Sequence, residues 1–424
     1  MKDILIKNCD IVHADGVQAG MDILVHGGVV EKTGKRITGG ASRVIDGEGL
    51  YAFPGFCDLH SHLRDPGLTH KEDIVTGTKS AAAGGFTTVC CMPNTNPPVD
   101  SVETVRYILD KADAAGFARV LPVAAITKGL KGGVLTDFAA LARAGAIAFS
   151  DDGMPVQDDD VILAAMRLAK KENALLMLHE EDLKNRGSGV ANAGQYAEQA
   201  GLSGIPNAIE DSMTARDLYY AQKTGARIHL CHVSTEGSVE LVRRAKKNGV
   251  HVTCETMPHY FSLTDECVVG GDPNTKVNPP LRSARDRDAV IAGIVDGTID
   301  AIATDHAPHS ESEKNTSFAD APFGLIGFET AFSLLVTNLY RTGRIELRDI
   351  ARLLAAAPCS ILGIAGGRIG ENERADITLC DMEKKYTYQK NDVVSKAKNS
   401  PFFGSELLGA VMVTIAGGKV TYDR

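Results

Sequence analysis

The chain has 424 residues and a formal net charge of −9, and 44% of its residues are hydrophobic. This length suits one large α/β domain with an appendage, or two domains. The acidic balance argues against a nucleic-acid partner, which normally requires a basic face, and no apolar run approaches the length of a membrane span. The first residues show no signal-peptide pattern. Composition therefore predicts a soluble protein and leaves a small anionic substrate open.

The cysteines indicate the compartment. There are nine of them, an odd number, and they lie mostly in apolar segments such as the one that contains Cys90 and Cys91. This pattern is typical of reduced thiols in a cytosolic protein. No C-x-x-C pair occurs, which argues against a zinc ribbon or a redox motif. We therefore expect a cytoplasmic protein.

The chain begins with a β-rich segment and continues with a repeating βα pattern. Residues 1–52 contain short alternating runs broken by glycine, which are strand and hairpin signals. From Ala52 onward, apolar strands alternate with amphipathic helical segments. The predicted strands are 53–62, 87–94, 119–126, 146–152, 175–180, 227–233, 251–257 and 301–305. Eight βα units over about 250 residues predict a (β/α)8 TIM barrel of the α/β class.

Helical periodicity separates these strands and follows the last one. The predicted helices are 71–83, 102–115, 159–171, 234–247, 284–295, 327–340 and 347–357. Pro358 is expected to stop the last helix, and the chain then returns to short strands. Neither terminal β segment makes a core of its own. We therefore predict that residues 1–52 and 361–424 pair into one small β-sandwich domain, which flanks a barrel of residues 53–360.

A set of polar side chains follows the predicted strands. In a barrel of this kind, the functional residues lie at the carboxyl ends of the strands and in the loops after them. In order, these ends carry His60, His62, Arg64, Asn94, Asp151 or Asp152, His179, His232, Asp305, His306 and His309. A lone histidine in a strand is more often structural than a ligand, but imidazoles at several independent strand ends indicate a metal site. Imidazole with carboxylate suits zinc, manganese or cobalt better than calcium.

The first barrel strand is the most informative of these segments. Alternate residues of a strand share a face, so His60 and His62 are able to bind one metal ion. Arg64 keeps the same parity and is expected just beyond the metal, beside a substrate carboxylate. Asp58 shares that face one step deeper. It is either an acceptor that orients a metal ligand or simply a buried carboxylate.

Parity also separates neighbours in the other strands. His229 and His232 are three residues apart, so we expect His232 in the mouth of the barrel and His229 in the layer between barrel and helices. Parity alone does not choose between Asp151 and Asp152. His259 lies just past the seventh strand and stays undecided. The histidines interpreted as structural or surface residues are His13, His26, His70 and His251.

Several of these motifs resemble those of a known family. The segment PGFCDLHSH at 54–62 is similar to the first metal motif of the cyclic amidohydrolases, and TDHAPH at 304–309 is similar to their strand-8 motif. Further segments resemble dihydroorotases, specifically the long, class I bacterial form: HLRDPG at 62–67, MPNT at 92–95, FSDDG at 149–153 and NPPLR at 278–282. The resemblance extends over essentially the whole chain, including the split β domain.

The resemblance implies a zinc-dependent dihydroorotase, which interconverts N-carbamoyl-L-aspartate and (S)-dihydroorotate in de novo pyrimidine (UMP) biosynthesis. It implies two zinc ions per subunit, bridged by Asp152, and Asp305 as the catalytic proton shuttle. The implied metal ligands are His60, His62, Asp152, His179, His232 and Asp305. The implied substrate contacts are His62, Arg64, Asn94, Asn278, His309, Phe323 and Gly324.

The fourth strand separates this form from its relatives. Many amidohydrolases bridge their metals with a carboxylated lysine on that strand, whereas this chain has AFSDD at 148–152 and no lysine there. This fits the class I form and argues against a hydantoinase or an allantoinase.

Two alternative functions remain open. One is a related cyclic amidohydrolase, an allantoinase or a dihydropyrimidinase; the other is a non-catalytic dihydroorotase-like subunit that scaffolds a transcarbamoylase. The resemblance also implies a homodimer and admits an aspartate transcarbamoylase partner. The polar segment 310–320, which we call the cover segment, is predicted to be either a lid over the metals or a plain solvated loop.

Overall fold

The computed structural model describes residues 3–38 and 40–424. Its strands form two eight-stranded sheets and one two-stranded sheet. One large sheet is built from both ends of the chain, and the other is built from its middle. No helix in the described part of the chain is long and apolar enough to cross a membrane.

Strands predominate at the two ends of the chain and alternate with helices in its middle. The strands are β1 (Ile4–His13), β2 (Gly16–His26), β3 (Val29–Gly34), β4 (Arg43–Asp46), β5 (Tyr51–Pro54), β6 (Phe56–Ser61), β7 (Phe86–Cys91), β8 (Arg119–Ala124), β9 (Ala148–Phe149), β10 (Leu175–Leu178), β11 (Ala191–Asn192), β12 (Gly204–Ile205), β13 (Arg227–Leu230), β14 (Val252–Thr256), β15 (Ala301–Ile302), β16 (Ile377–Thr387), β17 (Glu406–Ala416) and β18 (Lys419–Asp423). The α-helices are α1 (Ile74–Ala83), α2 (Val102–Ala115), α3 (Phe138–Ala144), α4 (Asp159–Glu172), α5 (Leu183–Arg186), α6 (Gln195–Gln199), α7 (Ala208–Thr224), α8 (Glu236–Lys247), α9 (Pro258–Ser262), α10 (Ala284–Val295), α11 (Glu311–Lys314), α12 (Phe328–Leu335), α13 (Leu347–Ala351) and α14 (Ala357–Leu362).

The terminal sheet joins two distant parts of the chain. Its strand order is β18-β17-β16-β5-β1-β2-β3, and β4 pairs with β1. The two parts meet where β5 runs antiparallel to β16, with Phe53 opposite Thr378. The core of this domain is apolar and includes Ile4, Ile6, Ile11, Ile23, Ile377 and Ile415. Neither part supplies this core alone, which is why both ends of the chain are needed.

The middle of the chain forms a barrel of parallel strands. Its order is β15-β14-β13-β10-β9-β8-β7-β6, and a parallel bridge between Ser61 and His306 closes the circle. Strands β6 and β7 are buried along their whole length, as expected for parallel strands that are covered on both faces. Each predicted barrel strand overlaps one of these strands. The predicted fold class, a (β/α)8 barrel with a small β-sandwich domain, is confirmed.

The apolar run 53–62 is divided between the two sheets, which differs from the single strand predicted. Tyr51–Pro54 belongs to the terminal sheet, and Phe56–Ser61 begins the barrel. Gly55 marks the change, because a Cβ at this position would lie 2.3 Å from Thr87 Oγ1. A larger residue would therefore push β6 away from β7. The terminal sheet thus includes residues 53 and 54.

The predicted helices α2 and α10 have the expected bounds, but the prediction that Pro358 stops a helix is wrong. A π-helical turn, Arg352–Ala356, precedes this proline, and α14 continues to Leu362. Such a turn already departs from the α-helical bonding pattern, so the missing N–H of proline is tolerated there. The helix ends where Gly363 adopts a left-handed conformation, with φ of 67°.

An aromatic cluster joins the terminal sheet to the barrel. The Phe332 ring lies 6.0 Å from that of Phe53 and stacks at 5.7 Å on Phe56. Phe332 is almost completely buried. Because it contacts both sheets, its removal leaves a cavity at their junction.

We expect Phe332→Ala to lower the free energy of unfolding by about 3–5 kcal/mol. Urea denaturation followed by circular dichroism measures the change. The control is Tyr219→Ala, whose side chain is 54% exposed and which should change stability by no more than about 0.5 kcal/mol. Equal effects of the two substitutions would show that the cluster does not stabilise the junction.

Candidate active site

The predicted site residues gather at the carboxyl end of the barrel. They surround a cavity of about 340 Å³, a size typical of small-molecule sites. The predicted residues that line it are His62, Arg64, Asn94, Asp152, His179, His232, Asn278, Asp305, His309, Phe323 and Gly324. His60 is fully buried beside Asp152. The structure therefore brings together every residue of the predicted site.

Asp152 lies at the centre of the imidazole cluster. Its Oδ1 is 3.4 Å from His60 Nε2 and 3.5 Å from both His179 Nδ1 and His232 Nε2. Its Oδ2 is 3.6 Å from His62 Nε2. Burial alone would raise the pKa of Asp152, but the neighbouring imidazoles of His60, His179 and His232 favour its ionised form and hold this pKa well below its ordinary value.

Asp305 completes the cluster on one side. Its Oδ1 lies 3.0 Å from His62 Nε2 and 3.8 Å from His60 Nε2. Burial favours the neutral acid, but the hydrogen bond from His62 and the nearby His60 outweigh it and lower the pKa of Asp305 to about 2. Within the described residues, three groups of possible metal donors share His60, and two of them lie in this cluster. One is His60 with His62 and Asp305, and the other is His60 with Asp152 and His232.

Three of the imidazoles make a second contact on the side of the ring that faces away from Asp152. His60 Nδ1 is 3.2 Å from Glu255 Oε1, His62 Nδ1 is 2.9 Å from Asn94 Oδ1, and His179 Nε2 is 3.0 Å from Glu181 Oε2. Each contact engages the ring nitrogen that faces away from the cluster. The other nitrogen faces the cluster and is the one that would bind a metal. This pairing is a regular property of histidines that bind metals.

The residues present fit a divalent metal. Within the described residues, His60 Nε2 and Asp152 Oδ1 are buried and have no hydrogen-bond partner, although leaving such atoms unpaired costs free energy. A cation between them supplies the missing interaction. A donor set of imidazole nitrogens and carboxylate oxygens is the one that zinc and related transition metals prefer.

The two adjacent aspartates of the fourth strand have different roles. Asp151 Oδ1 accepts hydrogen bonds from the backbone N–H groups of Ile126 and Thr127, at 2.8 and 3.0 Å. Its carboxylate therefore stabilises a loop, and Asp152 is the one that faces the cavity. The choice that strand parity left open is thus made by the backbone donors around Asp151.

The predicted position of His229 is wrong. Its Nε2 lies 3.2 Å from Glu255 Oε2, and the other oxygen of this carboxylate contacts His60 of the imidazole cluster. His229 therefore lies on the interior side of β13, below the cluster. Parity failed because β13 ends at Leu230 and His232 adopts a left-handed conformation, with φ of 41°. That turn redirects its ring, so both histidines point inward.

Three other residues do not line the cavity: Asp58 and His259, which the sequence left open, and His306, whose predicted place at the mouth of the barrel is wrong. The Asp58 carboxylate accepts hydrogen bonds from Thr304 N and Oγ1, at 2.9 and 2.7 Å, so it joins β6 to the strand-8 motif. The acceptor behind His60 is Glu255 instead. His306 Nδ1 accepts a hydrogen bond from Gly327 N, and His259 is buried on α9.

Arg64 is the cation at one corner of the cavity, beside His309, whose pKa is lowered to about 2 by burial and by the neighbouring cations. Arg64 reaches it through a left-handed backbone, with φ of 59°, rather than through strand alternation. Its Nε donates to Pro308 O at 3.2 Å, and its Nη2 lies 3.4 Å from His309 Nε2. His309 Nε2 donates in turn to Phe323 O at 2.8 Å. Burial lowers the pKa of Arg64 to about 10, which leaves it charged at neutral pH.

Three functional candidates were absent from the sequence prediction: Glu181, Arg186 and Glu255. Arg186 lines the cavity, and the two glutamates contact imidazoles of the cluster around Asp152. Glu181 stands two residues after His179 at the end of the fifth strand, which is a usable signal. Glu255 carries no such signal, because its partner His60 is distant in the chain.

The cover segment is anchored to the protein by two buried residues, whereas most of its other residues are exposed. Its short helix α11 begins with a capping box at Ser310. Lys314 is buried and donates to Pro273 O and Pro322 O, at 2.9 and 2.8 Å. Phe318 is buried in a small apolar cluster. Opening of this segment as a lid stays a prediction.

Known proteins with similar sequences identify the family. A family model described as "Dihydro-orotase-like" matches residues 49–238. Over 422 residues the chain is 46% identical to a protein named Dihydroorotase from Caldanaerobacter subterraneus subsp. tengcongensis, covering 99% of this chain and 97% of that protein. It is 47% identical over the full length of both chains to one from Geobacter metallireducens. The chain belongs to the dihydroorotase family.

A solved structure shows that the same architecture occurs outside the dihydroorotase family. L-Hydantoinase (Dihydropyrimidinase) from Arthrobacter aurescens is 26% identical, with a TM-score of 0.89, and the match covers 100% of this chain and 96% of that one. This dihydroorotase family member is therefore a cyclic amidohydrolase by fold and by sequence. The much higher identity to dihydroorotases separates it from the hydantoinases.

Proposed function

We propose that the chain is a zinc-dependent dihydroorotase, which interconverts N-carbamoyl-L-aspartate and (S)-dihydroorotate in de novo pyrimidine (UMP) biosynthesis. The observation that carries the proposal is the burial of Arg64 together with the contacts of its side chain. Its side chain is buried, and among the described residues it contacts a carbonyl and an imidazole rather than a carboxylate. A buried cation that forms no direct salt bridge within the described residues, beside a candidate metal centre, favours an anionic substrate.

Two zinc ions bridged by Asp152 are the proposed cofactor. The residues that would hold them are His60, His62, Asp152, His179, His232 and Asp305. When bound, zinc lowers the pKa of water and polarises a ring carbonyl. The position of Asp152 between four imidazoles supports its bridging role.

Asp305 is the proposed proton shuttle. It lines the cavity, and its Oδ1 contacts His62 Nε2. Because its ordinary pKa is low and the cluster lowers it further, Asp305 is ionised and ready to accept a proton from the attacking water. It then returns that proton to the departing ring nitrogen. In the reverse direction the same carboxylate takes the proton from the ureido nitrogen as the ring closes.

Arg64, Asn94 and His309 are proposed to bind the substrate carboxylate. The planar guanidinium offers two parallel donors to a carboxylate, a geometry that lysine does not reproduce. The Asn94 amide also joins His62 to Asp152, because its Nδ2 donates to Asp152 Oδ2 at 3.1 Å. Asn278 and the backbone of Phe323 and Gly324 are proposed to contact the ring.

We expect Arg64→Lys to lower kcat/KM for dihydroorotate by about 10- to 150-fold. The loss corresponds to about 1.5–3 kcal/mol for one charge-assisted hydrogen bond. Steady-state kinetics in both directions measure it, and the exposed substitution Arg167→Lys serves as control. If kcat/KM is unchanged in Arg64→Lys, the proposal that Arg64 binds the substrate carboxylate is wrong.

A side-by-side assay tests the proposed function. The purified, zinc-loaded protein is assayed with dihydroorotate, allantoin and a hydantoin separately, and ring opening is followed by loss of absorbance and by mass spectrometry. We expect turnover of dihydroorotate alone. Turnover of only allantoin or the hydantoin would refute the proposal. An inactive protein that retains both zinc ions would favour the non-catalytic scaffold.

Assembly and location are proposed from family likeness and from the cysteines. A homodimer, with an aspartate transcarbamoylase as a further partner, is the proposed assembly, and light scattering of the protein with and without that partner tests it. A cytoplasmic location is supported by the nine cysteines, all of which are free.

A further inference from the structure

The carboxylate of Glu181 connects two parts of the cavity. Its Oε2 accepts hydrogen bonds from His179 Nε2 and from Asn278 Nδ2, both at 3.0 Å. Its Oε1 accepts a hydrogen bond from Arg186 Nη1 at 2.9 Å. Glu181 is buried, so bulk water does not compete for these bonds. One side chain thus joins a proposed metal ligand, a proposed substrate contact and a cation of the cavity wall.

The backbone around Glu181 is held firmly. Gln157 donates from Nε2 to Glu181 O at 3.0 Å, and its Oε1 accepts from Leu183 N at 2.9 Å. Leu183 begins α5, the short helix that carries Arg186. These bonds fix the backbone of Glu181. The position of its carboxylate is then set by the three side chains that donate to it.

Arg186 extends this connection to the cavity. It lines the cavity, and 25% of its side chain is exposed. Its guanidinium carbon lies 5.6 Å from the centre of the Phe323 ring, a distance typical of cation–π contacts. A ligand that touches Asn278, Phe323 or Arg186 therefore acts on groups that share the Glu181 carboxylate.

We propose that Glu181 and Arg186 are positioning residues that couple substrate binding to metal binding at His179. The inference rests on the proposed function, because it requires a substrate at Asn278 and a metal at His179. Substrate that binds Asn278 and packs against Arg186 holds both donors in place. The carboxylate that orients the His179 ring is then held with them.

Thermodynamic linkage makes this coupling measurable from either side. If substrate raises the affinity for zinc by some factor, zinc raises the affinity for substrate by the same factor. The effect is separate from the rate of the reaction, so it appears in a binding measurement. A merely structural role of Glu181 and Arg186 would lower stability but would leave this factor unchanged.

The test measures zinc affinity by chelator competition, with and without an equilibrated mixture of N-carbamoyl-aspartate and dihydroorotate. In the unmodified protein the mixture should raise zinc affinity at least about fivefold. In Arg186→Met and Glu181→Gln the increase should fall below about twofold. Glu181→Gln should also lower zinc affinity itself by about 10- to 100-fold, as is usual when the partner of a ligand imidazole is changed.

The control is Lys184→Met, which removes an exposed cation from the same helix. It should keep the full increase. Coupling that persists in Arg186→Met, or that is lost equally in Lys184→Met, would overturn the inference, and so would its absence in an unmodified protein that turns over dihydroorotate. A protein without this turnover refutes the proposed function instead. If Glu181→Gln does not fold, the loss or persistence of coupling in Arg186→Met still tests the inference, because Arg186 is partly exposed at the rim of the cavity.

Discussion

Removal of divalent metal with a chelator at neutral pH will abolish turnover of dihydroorotate, and zinc will restore it. We expect a loss of about 1,000-fold or more, because a metal both lowers the pKa of water and stabilises charge on the ring carbonyl. Within the part of the chain that the structure describes, the buried His60 Nε2 and Asp152 Oδ1 have no hydrogen-bond partner, which is the structural basis for this expectation. Metal analysis before and after treatment accompanies the assay.

Stepwise addition of zinc to the stripped protein tests the number of ions. Activity should rise until two equivalents are bound, because Asp152 contacts both His60 and His179, which are proposed to bind different zinc ions. Asp152→Asn should bind fewer than two equivalents, whereas the exposed substitution Asp160→Asn should still bind two. A plateau of full activity at one equivalent would contradict the two-zinc proposal.

Asp305→Asn will lower kcat by about 100- to 10,000-fold, the range expected for loss of a general acid–base group. Asparagine keeps the size of the side chain and one oxygen atom that is able to bind a metal. Its amide does not act as a base. Asp305→Ala should be inactive as well and should keep the fold. Stopped assays with high enzyme concentration measure the residual rate.

Because Asp305 is also a proposed ligand, zinc content separates its two roles. Loss of kcat with two zinc ions retained indicates proton transfer, whereas loss of zinc indicates ligation. The control is Asp320→Asn, an exposed carboxylate of the cover segment, which should leave kcat unchanged. Substantial turnover by Asp305→Asn would refute the proton-shuttle role.

The fold of this protein does not distinguish between possible ring substrates, whereas the residues of the cavity do. The match to an L-hydantoinase extends over the whole chain, so the barrel and the terminal sheet alone do not choose between ring substrates. The choice depends on local residues. Residues 148–152 contain no lysine, and within the described residues Arg64 contacts a carbonyl and an imidazole rather than a carboxylate.

Much of the fold was predictable because barrel strands and helices are local patterns. A parallel strand that is buried on both faces is a continuous apolar run, and β6 and β7 are such runs. Helices α2 and α10 had the predicted bounds because polar caps mark their beginnings, Ser101 and Ser283. The exceptions lie where a neighbour intervenes. Thr87 beside Gly55 divides one run into two strands.

The site was predictable as a set of residues but not as a geometry. Strand ends of a barrel converge by topology, so the ligands follow from their positions in the chain. The rule that alternate side chains share a face failed beyond the last paired residue of a strand. Left-handed backbone at Arg64, His232 and Asp305 interrupts the alternation there. The misplaced His229 is a consequence of this.

By itself, the sequence determined the class of fold, the residues at the strand ends and the family they resemble, because these depend on periodicity and on residue type. Only the tertiary structure decided which atoms meet. It placed Glu255 behind His60 and Glu181 between His179 and Asn278. The physical reason is that a buried carboxylate needs donors from other elements of the fold, and these partners become neighbours only when the barrel closes.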